Sequence, residues 1–359
     1  MDEGEQPSRV PNWPVEVAAL QTDVLVIGGG PAGLAAAIAA RSKGFDVTVA
    51  DAARPPIDKA CGEGVLPAGV EVLRRLGVRL SDDDAIPFRG IRFLDAGTCV
   101  EARFRFGPGL AVRRTRLHQI LASRASDLGV RLLWDTRVSD ASKLPSCRWI
   151  VGADGQNSSV RHAAGLDAAS RESSRFGFRR HYRVSPWTDF VEVHWGSRCQ
   201  IYVTPVSQDE IGIAVLSRDS HLRLDRALRE FPELRRRLQG AEPSGAERGA
   251  VTVSRRLRHV FRGHTVLVGD ASGSVDAITG EGLSLSFHQA VALAEALCSG
   301  ELASYQAEHS RLARRPAFVA GMLLSLDRFS WLRRGALRLL AHEPPIFAKL
   351  LTRYAPEVS

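Results

Sequence analysis

The stretch "DKACGEGVLP", residues 58–67, places a cysteine in a glycine-rich bend with a carboxylate two residues later. Cys61 in such a bend is a metal ligand, half of a redox pair, or a small side chain beside a cofactor or substrate. Metal binding needs further ligands at suitable spacing, and none stands near it. The nearest other cysteine in sequence is Cys99. The sequence therefore predicts no metal site and favours Cys61 as a polarizable cavity side chain, with proton donation as its catalytic role if it has one. For Glu63, a structural cap of a nearby helix or loop is an equally good interpretation as a role in the site.

A glycine-rich turn follows a short apolar run in "DVLVIGGGPAGLAAAIAARSKGFDVTVAD". Gly28, Gly30 and Gly33 fit the pattern GxGxxG. Pro31 stands where a helix begins, and Asp51 ends a second apolar run. The first glycine permits the tight turn, the second lets a pyrophosphate approach the backbone, and the third lets the helix pack on the strand. Because Asp51 can accept both ribose hydroxyls, this order of elements predicts dinucleotide binding, with FAD and NAD both open.

Two later segments, "WIVGADGQNSSVR" and "HTVLVGDASGSVDAITGEGLSLSFHQAVALAEAL", repeat the order of strand, turn and helix start. Asp154 and Asp270 stand where each strand gives way to its turn. Three such devices in one chain fit one long ligand, and a flavin dinucleotide needs contacts along its whole length. We expect Asp270 to contact the ribityl and pyrophosphate region. The amides of residues 280–282, which open a helix, would stabilise negative charge on the flavin ring.

With these motifs the chain resembles the FAD-dependent oxidoreductases that include aromatic-ring hydroxylases, flavin halogenases and geranylgeranyl reductases. The resemblance spans about residues 23–300 and rests on "GGGPAG", "VRRTRLHQIL", "GADG" and "GDASG…TGEG". It is strongest to the geranylgeranyl reductase branch, whose "CGGG"-like bend reads "CGEG" here. The resemblance implies that Arg114 contacts the FAD, that Val138 lies near the adenine, and that "CGEG" reaches the flavin. The residues expected beside the cofactor are Gly28, Gly30, Pro31, Ala32, Gly33, Asp51, Ala52, Cys61, Gly62, Arg114, Val138, Asp154, Gly155, Gly269, Asp270, Gly280, Glu281, Gly282 and Leu283.

Three positions depart from that family pattern. Ala277 and Ile278 stand where a proline is expected before "TG". The aromatic-x-aromatic-x-x-Pro stretch of reductases and halogenases reads "QIYVTP", with Gln200 at its first position. Lys59 is a poor match for the lysine that halogenases use, so halogenation is not indicated.

The middle of the chain, residues 175–216, alternates between apolar and polar residues and is rich in aromatic and β-branched types. Period-two patterning of this kind predicts several antiparallel strands. The resemblance implies that such a sheet covers the flavin and forms the substrate pocket. Arg180, His181, Trp195 and Tyr202 are the candidate pocket residues, and the alternative for each is a sheet position facing solvent or core.

Composition and charge bound the class of protein. Five scattered cysteines without a CxxC pair fit a reducing compartment, and the acidic, proline-bearing residues 1–22 predict a disordered lead of a cytoplasmic protein rather than a signal peptide. The net charge is +8, and from residue 311 onward there are nine basic and three acidic residues. Amphipathic helices are predicted at 302–316, 318–342 and 344–355. Their basic faces are either solvated or in contact with a membrane surface; we expect no nucleic-acid partner, and the oligomeric state is not indicated.

The sequence thus predicts a mixed α/β protein. It has a Rossmann-like FAD-binding domain of the glutathione-reductase type, an inserted antiparallel β-sheet domain for the substrate, and a helical C-terminus. The expected divisions are residues 1–22 for the lead, 23–85, 110–165 and 255–300 for the FAD-binding domain, 86–109 and 166–254 for the substrate domain, and 301–359 for the C-terminal helices.

The expected function is that of an FAD-dependent oxidoreductase acting on a hydrophobic small molecule. FAD would be bound non-covalently, and NADPH or NADH would serve as transient reductant in a groove that the sequence does not locate. A monooxygenase that hydroxylates or epoxidises its substrate is the favoured reaction. A geranylgeranyl-reductase-like reduction of isoprenoid or other C=C bonds is the alternative. A third hypothesis, from another class, is a flavin-free binding protein of the same fold, as in Rab GDP-dissociation inhibitors.

Overall fold

A computed structural model of the protein describes residues 21–138 and 147–343. Most of the expected N-terminal lead and the helix predicted at 344–355 lie outside the described residues. A six-stranded sheet is built from β1 Val24–Ile27, β2 Val47–Ala50, β8 Arg131–Leu133, β9 Trp149–Gly152, β16 Phe261–Arg262 and β17 Thr265–Leu267. Its order is β16-β17-β9-β1-β2-β8, and all its neighbours pair in parallel except β16 and β17. Every residue of β1 is buried, as a continuous apolar run in a sheet covered on both faces should be.

Helices cover this sheet and supply most of the main core. The helices of the chain are α1 Pro31–Ser42, α2 Pro67–Arg75, α3 Arg114–Asp127, α4 Ser159–Ala163, α5 Leu224–Ala227, α6 Pro232–Arg237, α7 Gly282–Ser299, α8 Leu302–Arg328 and α9 Ser330–His342. The alanine-rich α1 packs against α7 and α3, since small side chains let helices approach closely. Leu34, Ile38, Leu117 and Phe287 are fully buried in this core.

A larger, mostly antiparallel sheet holds the middle of the chain. Its strands are β5 Gly90–Asp95, β6 Thr98–Arg103, β10 Ala169–Arg183, β11 Phe190–Trp195, β12 Cys199–Pro205, β13 Glu210–Ser217, β14 Glu242–Pro243, β15 Arg248–Leu257 and β18 Gly273–Ser274. The order is β18-β15-β10-β13-β12-β11-β5-β6, with β14 beside β10, and β11 and β5 run parallel. One face packs on α5 and α6, and the other faces the parallel-sheet domain. The expected mixed α/β class and the helical C-terminus are confirmed.

The sheets do not divide the chain at the expected domain boundaries. A small three-stranded sheet joins β3 Gly64–Val65, β4 Ile86–Phe88 and β7 Gly109–Ala111, so it draws on both sides of the boundaries at 85/86 and 109/110. The boundary at 254/255 falls inside β15. Because the sheets alone do not define the domains, the division into domains stays a prediction. The cavity described below is lined by residues from all three sheets.

Two helix boundaries differ from the sequence expectation. The chain does not break at Pro316, because α8 continues through it and ends at Arg328, and Phe329 is the extended residue before α9. A proline inside a helix removes one backbone hydrogen bond, and here its ring is buried, so packing outweighs that cost. Among the described residues, no helix combines the length and apolarity needed to cross a bilayer.

Candidate functional site

One large cavity, of about 1410 Å³, lies between the carboxyl end of the parallel sheet and the inner face of the large sheet. Its wall at one end is formed by the glycine turn after β1, and at the other end by α8 and α9. Every residue that the sequence places beside the cofactor lines this cavity, except Gly33. Gly33 is instead buried where α1 meets the strand, and a Cβ there would lie 1.9 Å from the Gly28 carbonyl oxygen.

The turn after β1 admits only glycine at its first position. Gly28 has φ +111°, and a Cβ on it would lie 2.4 Å from the Ala153 carbonyl oxygen. Asp51, at the end of β2, accepts from the Gly29 amide at 2.6 Å and from the Ala53 amide at 2.8 Å. These two bonds fix the carboxylate beside the turn, with lone pairs left on both oxygens for ribose hydroxyls.

Arg114 brings a guanidinium group to the same turn, and no ion pair with it is present among the described residues. It opens α3, and one guanidinium nitrogen, Nη2, lies 3.9 Å from where a Cβ on Gly30 would be. Its Nε is buried and has no hydrogen-bond partner among the described residues. A buried, unsatisfied donor costs free energy unless a ligand meets it. Together with the N-terminus of α1, which begins at Pro31, this guanidinium fits a pyrophosphate.

Asp154 and Asp270 both lie on the cavity wall, but their side chains have different partners. Asp154 accepts through Oδ2 from the Ser159 amide and hydroxyl at the start of α4, and its Oδ1 is buried without a partner in the described residues. Asp270 carries a weak ion pair with Lys59 at 3.4 Å. The free oxygen of Asp154 and the loosely held Asp270 are therefore available to a ligand.

The loop before α7 forms the next part of the wall. Gly280 has φ +68°, and a Cβ on Gly280 or Gly282 would meet nothing within 4 Å, so both face open cavity. Glu281 stands between them, and burial raises its pKa to about 8. Its Oε2 has no partner among the described residues. This carboxyl group therefore holds a proton at neutral pH. Tyr202 donates to the Ile278 carbonyl at 2.9 Å and thereby holds the loop against the large sheet.

The bend around Cys61 is fixed by a buried carboxylate. The Cys61 Sγ accepts from the Glu63 amide at 3.3 Å, and Glu63 has φ +60°. The Glu63 carboxylate accepts from the Arg114 amide at 2.9 Å and contacts the His181 Nε2 at 2.5 Å. Arg179, which also lines the cavity, lies beside this pair and forms an ion pair with Asp58. Glu63 thus acts as an anchor for the bend, and Cys61 and Gly62 face the cavity.

The four candidate pocket residues take different places. Tyr202 lines the cavity. His181 lies on the side of β10 that faces Glu63, and Glu63 separates it from the Cys61 bend. Arg180 is not on the cavity wall, contrary to the expectation, because it points to the opposite face and pairs with Asp225 and Glu247. Trp195 is not on the wall either, because α8 covers it.

A polar cluster that the sequence did not reveal ties α8 to the large sheet. Gln200, which replaces the aromatic residue of the family pattern, donates to Asp327 of α8. The buried Arg175 donates both to Gln200, at 2.8 Å, and to Asp327. Asp276, at the start of the loop toward Gly280, lies 3.8 Å from Arg175. Gln200 thus links Arg175 to Asp327 through its amide group, which a phenyl ring at this position could not do.

The far end of the cavity is apolar. The residues that α8 and α9 contribute to the wall are Ala317, Phe318, Gly321, Met322, Leu323, Ser325, Leu326, Leu332, Ala336, Leu337, Leu339 and Leu340. None of them is charged. Strands β5 and β11 add Ile91, Phe93, Val191 and Val193. The cavity thus has a polar end suited to a dinucleotide and an apolar end suited to a hydrophobic molecule.

Comparison with known proteins identifies the family. The pattern of the FAD binding domain family matches residues 21–314. A menaquinone reductase from Mycolicibacterium smegmatis is 30% identical over 353 residues, covering 86% of each chain. A digeranylgeranylglycerophospholipid reductase from Methanothermobacter thermautotrophicus is 26% identical, covering 73% of each chain. The solved structure of p-nitrophenol 4-monooxygenase from Pseudomonas putida superposes with a TM-score of 0.74 at 17% identity, covering 89% of this chain and 93% of that one.

The chain belongs to the FAD binding domain family. It is an FAD-dependent oxidoreductase of the group that contains monooxygenases and geranylgeranyl-reductase-like enzymes, as the sequence motifs indicated. The cavity itself fits the cofactor, because it joins two helix N-termini, open space at Gly155, Gly280 and Gly282, and the Arg114 guanidinium, whose Nε has no partner among the described residues.

Proposed function

We propose that this enzyme reduces a carbon–carbon double bond in a long, apolar, isoprenoid-type lipid. The observation that carries the proposal is the uncharged wall formed by α8 and α9, which extends the cavity well beyond the residues that would hold FAD. An apolar chain transferred from water into such a channel gains roughly 0.8 kcal/mol for each buried CH₂ group. The similar menaquinone and digeranylgeranylglycerophospholipid reductases are named for lipid substrates of this kind.

FAD would supply the two-electron chemistry, with NADPH or NADH as its reductant. The chain's own residues bind and orient the reactants. The glycine turn, Asp51 and Arg114 hold the dinucleotide end of the cofactor. The backbone amides of Gly280 and Gly282 lie on the cavity wall at the N-terminus of α7. Residues of α8 and α9 line the apolar end without a charged group.

Addition of hydrogen across a double bond also needs a proton from the protein or from water. Glu281 holds one at neutral pH because burial raises its pKa to about 8, and it lines the cavity. Cys61 lines the same cavity from the glycine-rich bend of residues 58–67, and its catalytic role stays a prediction. Replacing each in turn, as Glu281→Gln and Cys61→Ala, would show which side chain limits the rate of proton delivery.

Turnover without oxygen is the deciding experiment. Purified enzyme, dihydronicotinamide and an isoprenoid quinone would be incubated anaerobically, and product saturation would be read by mass spectrometry. A gain of two hydrogens that persists after the quinol is reoxidised to the quinone and that lies in the isoprenoid side chain, with no oxygen dependence, supports the proposal. Incorporation of ¹⁸O from labelled oxygen, with no turnover in its absence, would overturn it in favour of hydroxylation or epoxidation.

That second reaction has one structural observation in its favour. The fold is shared with p-nitrophenol 4-monooxygenase over 93% of that protein. At 17% identity the likeness concerns architecture, so it does not outweigh the apolar extension of the cavity.

A further inference from the structure

An exposed apolar patch surrounds the mouth of the cavity on α8 and α9. Phe318 is 71% exposed, Trp331 72%, Leu339 58% and Phe329 43%. In the described ranges only six large hydrophobic side chains are this exposed, and four of them lie here. Scattered exposed apolar residues are ordinary, but a cluster on two adjacent helices marks a surface that contacts something.

The patch and the cavity share residues. Phe318 and Leu339 are both exposed to solvent and part of the cavity wall, and so are Ala317 and Gly321. The cavity therefore opens to the outside through the apolar patch itself. A molecule that enters there passes over hydrocarbon and aromatic side chains and meets no charged residue of the two helices on the wall.

Arginines frame this mouth. Arg314 precedes Phe318 by about one helical turn and is exposed on the same side of α8. Arg334 and Arg338 follow Trp331 at helical spacing on α9 and are exposed as well. From residue 311 to residue 343 the acidic residues are Asp327 and Glu343, and Asp327 is turned inward to Arg175. The rim of the mouth is thus positive.

We propose that this face rests on an anionic phospholipid bilayer and takes its lipid substrate directly from it. Tryptophan and phenylalanine side chains enter the boundary between headgroups and acyl chains, while arginines extend to lipid phosphates. The combination of an apolar centre, a cationic rim and an apolar entrance fits a lipid surface better than an acidic protein, which would leave the entrance blocked. The inference rests on the proposed function for the identity of the entering molecule, whereas the docking itself involves no turnover.

Vesicle sedimentation tests the docking. The full-length, FAD-loaded protein would be mixed with vesicles of phosphatidylcholine alone or of an equal mixture with phosphatidylglycerol. We expect at least roughly tenfold tighter binding to the anionic vesicles, falling as salt is raised. The substitutions Trp331→Ser and Phe329→Ser, neither of which is on the cavity wall, should weaken binding to both kinds of vesicle. The pair Arg334→Glu and Arg338→Glu should remove the preference for anionic lipid.

The matched control is the pair Arg235→Glu and Arg236→Glu on α6. That helix packs on the face of the large sheet opposite to the one that Gln200 presents to α8, so its charges should not matter. Equal binding to neutral and anionic vesicles, or equal loss in the control pair, would overturn the proposal. So would a dimer in sedimentation velocity that Trp331→Ser dissociates, because a second copy would then cover the face. Bound-flavin absorbance confirms that each variant is folded, and turnover of detergent-dispersed lipid reports separately on the proposed reaction.

Discussion

The His181 Nε2 lies 2.5 Å from the Glu63 Oε2, and each residue is only 2% exposed. The other ring nitrogen, Nδ1, lies 3.0 Å from a guanidinium nitrogen of Arg179, which can only donate. Nδ1 must therefore accept, so Nε2 carries the proton and donates it to the carboxylate. This chain of contacts joins the Cys61 bend to β10 across 118 residues of sequence.

Glu63→Gln should loosen that bend. Glutamine offers one acceptor oxygen where the carboxylate serves two donors, so its amide group must face either the Arg114 amide or the His181 ring. Losing a buried, charge-assisted hydrogen bond costs roughly 1.5–3 kcal/mol of unfolding free energy. Urea unfolding would measure that loss, and flavin titration should show weaker binding. Glu71→Gln, on the surface of α2, is the control, and an equal effect from it would refute the anchoring role of Glu63.

Asp327→Asn should detach α8 from the large sheet. The substitution leaves the buried Arg175 without its main counter-charge, and removing one partner of a buried ion pair costs roughly 3–5 kcal/mol. Asp225→Asn breaks the exposed pair with Arg180 and should cost at most about 1 kcal/mol. Thermal unfolding of the two variants compares them directly. Because α8 forms the cavity wall, the KM for an apolar substrate should rise in Asp327→Asn; similar stability for both variants would contradict this account.

Gly282→Leu should block flavin binding without unfolding the protein. A Cβ at this position meets nothing within 4 Å, and the residue lines the cavity, so a larger side chain would occupy ligand space. We expect FAD affinity to fall by at least roughly tenfold, which corresponds to about 1.4 kcal/mol. Gly335→Leu on α9 is matched in chemistry and in open surroundings but lies off the wall, so it should bind flavin normally. Flavin content after gel filtration, beside circular dichroism, separates the two outcomes.

Glu281 should make the stability of the flavin-free protein depend on pH. Burial raises its pKa from the ordinary 4.5 to about 8, so the folded state keeps a proton that the unfolded state releases. The stability it contributes is complete below about pH 4.5 and is lost as the pH rises through about 8. Thermal midpoints measured from pH 5 to pH 9 should fall more steeply in the wild type than in Glu281→Gln. Parallel curves for the two proteins would show that this carboxyl group is not buried as described.

The dinucleotide end of the site could be predicted from sequence because its signals are local. Gly28, Gly33 and Asp51 lie within one βαβ unit, and the Gly28–Gly33 contact and the bond from the Gly29 amide to Asp51 are both formed inside that unit. The order of residue types was therefore enough to place them.

The pocket residues were harder to predict. The alternation of apolar and polar residues shows that a strand has two different faces, but it does not show which face lies toward the cavity. Successive residues of a strand point to opposite sides, so Arg180 and His181 could not both face the cavity. Arg179, two residues before His181, does line the cavity, and its partner Asp58 is far away in sequence. The Gln200–Asp327 contact spans 127 residues, and nothing in either local sequence indicates the other.

The parallel sheet joins distant parts of the chain, because β1 lies between β2 and β9. The cavity at its carboxyl end is likewise completed by segments that are synthesised at different times. The glycine turn leaves the ribosome early, whereas residues 269–283, which complete the same cavity, are made much later. A nascent chain that has not reached Gly269 lacks β18, the loop at Gly280 and α7, all of which contribute to the cavity wall. The cavity therefore takes its complete form only after the C-terminal part of the chain has been made, long after the glycine turn that forms its other end.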